Sequence, residues 1–335
     1  MTSRSPKSWK TWLAVIISLS LSACSANPVG PLAYVSNERD GTITVIDTKT
    51  DSVVNTIKVG ARPRGIRLSP DGRRVYVALS TPSGHEYAEA DNKIAAIDVE
   101  SGQVVARYDV GPDPEQLAVS RDGRFIYASN ENDGTASVMD VQTGRLIATL
   151  TVGIEPEGVT ISPDGRWVYV TSETSNTVSV IDAQSNEVIA TFLVGARPRD
   201  TAFSPDSSRA YVTAEVGTNL SVIDTATHQV IKTLELPRGD GVKPMGVVVS
   251  ANGSKVYVAN GRAGTVSVID AGTYEIIDTV TVGKRVWGLG LTADGRKIYA
   301  ANGLSNDVSV IDTGTDKVVA TIKAGDGPWG IAVAR

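Results

Sequence analysis

Three short patterns each recur seven times along the chain, and this repetition restricts the possible folds more than any other feature of the sequence. The first is a Tyr followed by small apolar residues, at Tyr34, Tyr76, Tyr127, Tyr169, Tyr211, Tyr257 and Tyr299. The second is an Asp that ends a Val-Ile-like run, at Asp47, Asp98, Asp140, Asp182, Asp224, Asp270 and Asp312. The third is Gly-x-x-Pro-x-Gly or a variant, beginning at Gly60, Gly111, Gly153, Gly195, Gly241, Gly283 and Gly325. Successive Tyr residues are 42 to 51 positions apart, a period typical of small sheets arranged in a ring.

Each repeat contains four short runs of alternating and β-branched residues, the pattern of β-strands. In the unit from Gly158 to Gly195 we predict strands over Val159–Ile161, Trp167–Val170, Val178–Ile181 and Val188–Phe192. A Ser-Pro-Asp-Gly turn separates the first two strands, because Pro fixes φ and Gly accepts a positive φ. The sequence therefore predicts an all-β, seven-bladed β-propeller with four antiparallel strands per blade, A to D from the centre outwards.

The two ends of the chain predict how the ring closes. Residues 329–333 have the pattern of a lone strand A, whereas residues 34–59 supply strands B, C and D without an A. We therefore expect three N-terminal strands plus one C-terminal strand to form one blade of a propeller that spans residues 32–335. Closure of this kind protects strand edges that would otherwise invite aggregation.

The repeated Asp and Tyr residues are interpreted as structural, because a single active site does not need seven copies of one group. Each Asp follows strand C, where its carboxylate can accept a hydrogen bond from a backbone N–H two residues on, as in an Asx turn. Each Tyr is expected to pack between neighbouring blades, with its hydroxyl on a polar partner.

Residues 1–23 have the layout of an export signal and are excluded from the fold. A basic stretch precedes a short apolar run, and Leu-Ser-Ala-Cys at 21–24 resembles the bacterial lipobox. The resemblance implies cleavage before Cys24, lipidation of Cys24 as a membrane anchor, and a short tether over residues 24–31. Because Ser25 is not Asp, it also implies an outer-membrane location, on the periplasmic face. An ordinary secretory signal that happens to hold a Cys is the alternative.

Charge and composition exclude several classes of function. Without residues 1–23 the chain has a net charge of −8, from 29 basic and 37 acidic residues, which makes nucleic acid an unsuitable partner. Cys24 is the only Cys, His85 and His228 are the only histidines, and no Cys-x-x-Cys-His haem motif occurs. We therefore predict no transition-metal site, no disulfide and no c-type haem.

The sequence of strand B resembles that of the YVTN family of propeller repeats. The resemblance covers nearly all of residues 32–335. The matching segments are Tyr-Val-Ser-Asn at 34–37, Tyr-Val-Thr-Ser at 169–172, Tyr-Val-Thr-Ala at 211–214 and Tyr-Val-Ala-Asn at 257–260. Within that family the chain is similar to the periplasmic propellers associated with PQQ-dependent catabolism, which are encoded beside ABC-transporter and quinoprotein alcohol-oxidation genes. The resemblance implies an accessory role in that catabolism or its transport, without implying that this chain binds PQQ.

The D-to-A and B-to-C loops of a propeller lie on one face, and the D-to-A loops surround its central channel. The Gly-x-x-Pro-x-Gly segments are these D-to-A loops, so their variable positions predict a ligand or partner face. The candidate residues are Arg62, Arg64, Glu115, Glu155, Glu157, Arg197, Arg199, Lys243, Arg285, Trp287 and Trp329. The two Trp residues belong to neighbouring blades and could stack on a planar or apolar ligand. The alternative is a solvated rim whose charges pair with one another and contribute little each.

Two insertions enlarge the same face. The B-to-C loop of the second unit, Ser80–Lys93, is about nine residues longer than its counterparts and carries His85 beside carboxylates. Long loops are often functional, although tolerated insertions are also common. His85 therefore joins the candidate residues of this face. The second insertion, around residues 237–243, widens the D-to-A loop before the fifth strand A within the chain.

Three functions remain open. The preferred one is a non-enzymatic propeller that binds a periplasmic protein or a small molecule. The second is a hydrolase similar to the propeller lactonases, for which Glu115, Glu155 and Glu157 are the available carboxylates, although no spacing marks them as catalytic. The third is a structural protein of the cell envelope. No catalytic residue, metal ligand or bound cofactor is assigned from the sequence, which also gives no indication of an oligomeric state.

Overall fold

The computed structural model describes residues 1–2, 31–80, 92–237 and 239–334, and residues 32–333 of this part form seven four-stranded antiparallel sheets. The innermost strands contact one another in order around a ring, which confirms the seven-bladed propeller. Residues 3–23 of the predicted signal peptide, Cys24, most of the tether, His85 and most of the Ser80–Lys93 loop lie outside the described residues. No helix in the described part is long and apolar enough to cross a membrane.

Strands are numbered β1 to β28 in chain order, and each blade is given from its innermost to its outermost strand. Blade 1 consists of β28 (Pro328–Val333), β1 (Leu32–Asn37), β2 (Thr42–Asp47) and β3 (Ser52–Lys58). Blade 2 consists of β4 (Pro63–Leu68), β5 (Arg74–Leu79), β6 (Lys93–Asp98) and β7 (Val104–Asp109). Blade 3 consists of β8 (Pro114–Val119), β9 (Phe125–Asn130), β10 (Thr135–Asp140) and β11 (Arg145–Thr151), with a turn of 3₁₀ helix at Glu131–Asp133.

The remaining four blades follow the same order. Blade 4 consists of β12 (Pro156–Ile161), β13 (Trp167–Ser172), β14 (Thr177–Asp182) and β15 (Glu187–Leu193). Blade 5 consists of β16 (Pro198–Phe203), β17 (Arg209–Ala214), β18 (Asn219–Asp224) and β19 (Gln229–Glu235). Blade 6 consists of β20 (Val247–Val249), β21 (Lys255–Ala259), β22 (Thr265–Asp270) and β23 (Ile276–Thr281). Blade 7 consists of β24 (Val286–Leu291), β25 (Lys297–Asn302), β26 (Asp307–Asp312) and β27 (Lys317–Lys323).

The predicted closure is confirmed in blade 1. The C-terminal strand β28 pairs antiparallel with β1, and Tyr34 lies opposite Ala332. Trp329 and Ile331 of β28 are buried, so the last strand contributes core side chains as well as backbone pairing. In blade 6, where the insertion around residues 237–243 lengthens the D-to-A loop, β20 is only three residues long.

The repeated Asp residues form the predicted turns. All seven carboxylates accept a hydrogen bond from a backbone N–H two or three residues on. Asp182, for example, accepts from the backbone N–H of Gln184 at 2.8 Å. The carboxylates therefore stabilise the hairpins between strands C and D.

The repeated Tyr residues are buried, and four of their hydroxyls bond to the C–D hairpin of the next blade. Tyr127 donates to Asn186 and Tyr257 donates to Asp316, at 2.6 and 2.8 Å. Tyr299 donates to Asp51, and Tyr169 shares a hydrogen bond with Nδ1 of His228. We call this contact the blade latch. In each of the four contacts the hydroxyl meets the side chain of the hairpin residue with left-handed φ.

The expected polar partner is missing for Tyr34. Its hydroxyl is buried without a hydrogen-bond partner. At the corresponding position of the next hairpin, four residues after Asp98, the chain has Gly102, which carries no side chain and has a φ of 65°. The prediction for Tyr34 is therefore wrong, because Gly102 lacks the side chain that completes the latch in the four seams above.

Candidate functional site

The D-to-A and B-to-C loops lie together on one face of the ring, which we call the upper face. The third residue of a D-to-A loop takes a left-handed φ at Arg62, Asp113, Glu155, Arg197 and Arg285. A left-handed φ costs a residue other than Gly about 1 to 2 kcal/mol of conformational energy. Strand A begins directly after this sharp turn. The fifth loop residue then lies at the mouth of the central channel, where Arg64, Glu115, Glu157 and Trp329 are buried.

The sixth loop position explains the recurring Gly of the motif. A Cβ at Gly158 would lie 2.3 Å from the backbone oxygen of Arg199, and a Cβ at Gly246 would lie 2.6 Å from that of Trp287. Neighbouring innermost strands therefore approach too closely for a side chain. Five of the seven positions are Gly, and the two exceptions are Gln116 in blade 3 and Asp200 in blade 5.

Arg199 is the centre of an ion-pair network formed by blades 4 to 6, which we call the Arg199 network. Its Nη1 lies 2.8 Å from Glu157 Oε1 and also contacts Glu173, while its Nη2 lies 2.6 Å from Glu215 Oε2. Arg197 bonds to Glu173 at 2.6 Å, and Lys243 bonds to Glu215 at 3.1 Å. Three cations thus face three carboxylates.

Arg62 and Arg64 form a second network with carboxylates of blades 1 and 3. Arg64 pairs with Glu115, which is completely buried, and lies 3.4 Å from Glu38. Arg62 lies 3.1 Å from Asp113 and 3.5 Å from Glu115. The charges pair with one another, as the alternative expected, but Arg64 and Glu115 are buried and do not form a solvated rim.

Glu131 lies beside this second network. Burial raises the pKa of Glu131 to about 7, and the neighbouring carboxylates of Glu157 and Asp113 add to the rise. Burial also raises the pKa of Glu173 above its ordinary range, with Glu157 again adding to the effect. Within the described residues no Lys or Arg pairs with Glu131. This part of the upper face therefore carries more negative charge than its cations balance.

A depression on the upper face contains this excess of negative charge, and we call it the acidic depression. It has a volume of about 620 Å³. Its lining residues are Arg62, Asp113, Glu131, Asn132, Asp133, Gly134, Ile154 and Glu155. Four carboxylates face one guanidinium, and the volume lies within the range of small-molecule sites.

Three of these neighbouring carboxylates come close enough to consider a metal ion. Oxygen atoms of Asp113, Glu115 and Glu131 all lie within 4.8 Å of one another. Arg62 and Arg64 already pair with Asp113 and Glu115, so guanidinium groups occupy oxygen atoms that a metal ion would need as ligands. We assign no metal to this cluster.

Trp287 and Trp329 line a second, much smaller space on the propeller axis, which we call the axial cavity. Their ring centres are 6.1 Å apart with a tilt of 30°. The cavity has a volume of about 30 Å³. It is lined by Gln116, Glu157, Arg199, Asp200, Met245, Gly246, Trp287, Gly288 and Trp329. Arg64 lies over the ring of Trp329 and Arg285 lies over that of Trp287, at 5.0 and 4.7 Å.

The structure thus brings every described candidate residue to one face but divides them among separate sites. Arg199, Glu157 and the Trp pair meet at the axial cavity, whereas Arg62 and Glu155 line the acidic depression. The remaining candidates belong to the ion-pair networks or stack on a Trp. His85 and most of its loop lie outside the described residues.

Four carboxylates of the upper face are not among the residues predicted from the sequence, because those come from the D-to-A loops and the Ser80–Lys93 insertion. Glu38, Glu131, Glu173 and Glu215 lie at the start of the B-to-C loops of blades 1, 3, 4 and 5. Each stands four residues after a repeated Tyr, a position occupied by Ser or Gly in the other three blades. Alignment of that one position would have revealed them.

Comparison with protein families finds two matches that overlap slightly. The family described as choice-of-anchor I domain matches residues 19–202, more than half of the chain. The family described as lactonase, 7-bladed β-propeller, matches residues 183–321.

Curated relatives match only short segments. Over 60 residues the chain is 38% identical to the uncharacterised protein YncE of Salmonella typhi, and over 102 residues it is 32% identical to antigen Lp49 of Leptospira interrogans. These alignments cover 18% and 29% of this chain and 17% and 22% of the two relatives. The chain therefore matches less than a quarter of the length of either relative.

Solved structures match over most of the chain. A chain of Kuenenia stuttgartiensis hydrazine synthase has a TM-score of 0.71 at 22% identity, covering 81% of this chain and 89% of that one. A putative 6-phosphogluconolactonase from Bacteroides fragilis has a TM-score of 0.77 at 19% identity, covering 93% and 99%. At such identities the likeness shows the propeller fold alone.

Proposed function

The chain belongs to the choice-of-anchor I domain family, and we propose that it is a binding propeller without enzymatic activity, whose upper face holds a protein or a small molecule. The observation that carries this proposal is the acidic depression. It is large enough for a ligand, and four carboxylates around it face one guanidinium. The expected ligand group is therefore cationic, either a basic side chain of a partner or a small amine.

The ion-pair networks support binding over catalysis. Arg199 is committed to Glu157, Glu173 and Glu215. Arg64 is committed to Glu115 and Glu38. Guanidinium groups held in this way fix the positions of five loops and leave few donors to stabilise a developing oxyanion. The networks therefore act as a rigid support for the acidic depression.

A pair of isosteric variants tests the binding site. Asp133→Asn with Glu155→Gln removes two charges from the acidic depression, while Glu100→Gln with Glu275→Gln removes two exposed charges from C–D hairpins on the opposite face. Calorimetry should show that the diamine putrescine binds the parent chain more tightly than the dicarboxylate succinate. The first variant should weaken putrescine at least fivefold, and the control should not. Equal binding of succinate would contradict the proposal.

The same variants serve as baits for a protein partner in an envelope extract. A partner of the upper face should be retained by the parent chain and by the Glu100/Glu275 control and lost from the Asp133/Glu155 variant. A protein retained equally by all three baits would bind elsewhere on the molecule.

Periplasmic location and an accessory role in PQQ-dependent catabolism or its transport are part of this proposal. Their support is the lipobox-like sequence ending at Cys24 and the resemblance of the repeats. PQQ itself does not fit either cavity. The axial cavity, at about 30 Å³, is too small for a tricyclic quinone, and the acidic depression would repel its three carboxylates. Labelling with radioactive palmitate, lost in a Cys24→Ser chain, would test the anchor.

A lactonase-like hydrolase is the second candidate. Its support is the lactonase family match over residues 183–321 and the raised pKa of Glu131, about 7, which suits a general acid or base near neutral pH. Hydrolysis of a lactone panel by the purified chain would favour this candidate if Glu131→Gln abolished it. The excess of carboxylates at this site is unfavourable for a phosphorylated substrate.

A further inference from the structure

Glu131 lines the acidic depression and is crowded by other carboxylates. Its backbone N–H donates to the carbonyl of Asp113 at 3.0 Å, which holds the two residues together. Oxygen atoms of Glu131, Asp113 and Glu115 all lie within 4.8 Å of one another. Glu157 and Glu173 of blade 4 repel the same group. Ionisation of Glu131 therefore adds a negative charge among several that are already present.

The cations nearest to Glu131 come from blade 2 and are engaged by other carboxylates. Arg62 lies 3.1 Å from Asp113, and Arg64 pairs with the buried Glu115. Both guanidinium groups favour the ionised form of Glu131, but within the described residues neither forms an ion pair with it. Burial and crowding outweigh this attraction and raise the pKa of Glu131 to about 7. Near neutral pH the carboxyl is therefore about half protonated.

A cation in the depression would reverse this balance. Glu131 lines the space directly, and a positive charge beside a carboxyl group favours the ionised form. The protonated carboxyl offers a hydrogen bond but no charge, so a cationic ligand binds the ionised form more tightly. Linkage then requires the reciprocal effect, which is that binding of the ligand displaces the proton.

We propose that the acidic depression exchanges a proton for its cationic ligand, and that Glu131 is the group that releases the proton. The neutral carboxyl loses its proton to solvent, and the carboxylate that remains faces the cation, so one positive charge leaves as another enters. Binding therefore tightens as the pH rises, and acidification releases the ligand. This inference rests on the function proposed for the depression and specifies how pH regulates it.

Calorimetry with putrescine measures both the affinity and the proton. The parent chain is titrated at about pH 5.5, 6.5 and 8 at constant ionic strength, a range in which both amino groups of putrescine stay protonated, as that of Lys does. Because the ionised fraction of Glu131 falls below its pKa, the Kd should be roughly tenfold higher at pH 5.5 than at pH 8. Titration at about pH 6.5 in two buffers with different heats of ionisation should show roughly two thirds of a proton released per putrescine bound.

Three variants assign the proton to its source. Glu131→Gln keeps the shape of the protonated carboxyl, so at every pH it should bind like the parent chain at the lowest pH and release no proton. Glu275→Gln removes an exposed carboxyl group from a hairpin on the opposite face and should behave like the parent. His85 is predicted for the upper face from the sequence and titrates in the same interval, and His85→Gln should keep the pH profile of the parent. A thermal melt of each variant reports its folding.

The outcomes separate this inference from the binding function on which it rests. If putrescine binds equally at all three pH values and releases no proton, the exchange is wrong while the binding site stands. If His85→Gln abolishes the pH dependence, or if Glu131→Gln melts normally and keeps it, another group releases the proton. Should Glu131→Gln fail to fold, the two-buffer measurement on the parent and on His85→Gln decides. Absence of putrescine binding at every pH would refute both the binding function and the exchange.

Discussion

The seam between blades 1 and 2 lacks the blade latch, and a single substitution should supply it. Tyr34 presents a buried hydroxyl without a partner, and Gly102 occupies the position where Asn186, Asp316 and Asp51 accept from their Tyr residues. Gly102→Asn places an acceptor there. Asn tolerates the φ of 65° better than most residues, and Asn186 already has a φ of 56° at the equivalent position.

The size of the effect follows from three contributions. A new intramolecular hydrogen bond stabilises a protein by about 1 kcal/mol. Replacement of Gly restricts the unfolded chain, a gain of about 0.5 kcal/mol that the strain of the left-handed φ on Asn largely offsets. A Cβ at Gly102 would lie 3.2 Å from Nδ2 of Asn55, the end of a flexible exposed side chain, so a small shift of that group offsets part of the gain. The net gain should be about 1 kcal/mol, or roughly 2 °C in melting temperature for a domain of this size.

A double-mutant cycle in urea unfolding isolates the hydrogen bond. Tyr34→Phe is expected to change the stability of the parent chain little, because the hydroxyl it removes has no partner. In the Tyr34→Phe background Gly102→Asn should lose about 1 kcal/mol of its benefit. If Gly102→Asn stabilises both backgrounds equally, the gain comes from the unfolded state and the latch explanation is refuted.

Three other predictions follow from the same structure. Tyr299→Phe should lower the free energy of unfolding by about 1 to 3 kcal/mol, because its hydroxyl donates to the Asp51 carboxylate, and a loss no greater than that of Tyr34→Phe would contradict this reading. Deletion of residues 328–335 should abolish the cooperative thermal transition, since blade 1 loses β28, and an unchanged melt would disprove the closure. The folded chain raises the pKa of Glu131 from 4.5 to about 7, so stability should fall as pH rises through that interval, and Glu131→Gln should flatten the dependence in urea titrations at each pH. An identical slope in both chains would show that Glu131 does not titrate as stated.

The fold was predictable because its determinants are local and repeated sevenfold. The Pro-Asp-Gly turns and the β-branched runs specify each strand within one unit. The lone strand at residues 329–333 specified the closure, because an unpaired strand A has only one open place in the ring. Tyr34 shows the limit of this reasoning. The position that could hold its hydrogen-bond partner lies in the next blade. The pattern shared by the repeats does not show that this position is Gly102, which has no acceptor side chain.

The position of the site could be predicted from the sequence, but the ion pairs within it could not. The D-to-A motif placed Arg64, Arg199 and Trp329 at the channel mouth, where the structure has them. Which carboxylate each Arg contacts depends on loops from adjacent blades, and the residues that decide it, such as Glu173 and Glu215, lie in B-to-C loops. A pattern in one repeat carries no information on the distance between two repeats.

Departures from the sevenfold symmetry are the most informative positions of this chain. Strand spacing requires Gly at the sixth loop position, and a Cβ at Gly330 would lie 2.8 Å from the backbone oxygen of Arg64. Gln116 and Asp200 break that rule in blades 3 and 5, and both line the axial cavity. The side chain of Asp200 accepts hydrogen bonds from the backbone N–H groups of Val247 and Thr201, which connects blades 5 and 6. The same comparison distinguishes Glu131 from the other carboxylates at the start of the B-to-C loops. The pKa of Glu131 is raised from 4.5 to about 7, and within the described residues no Lys or Arg pairs with it.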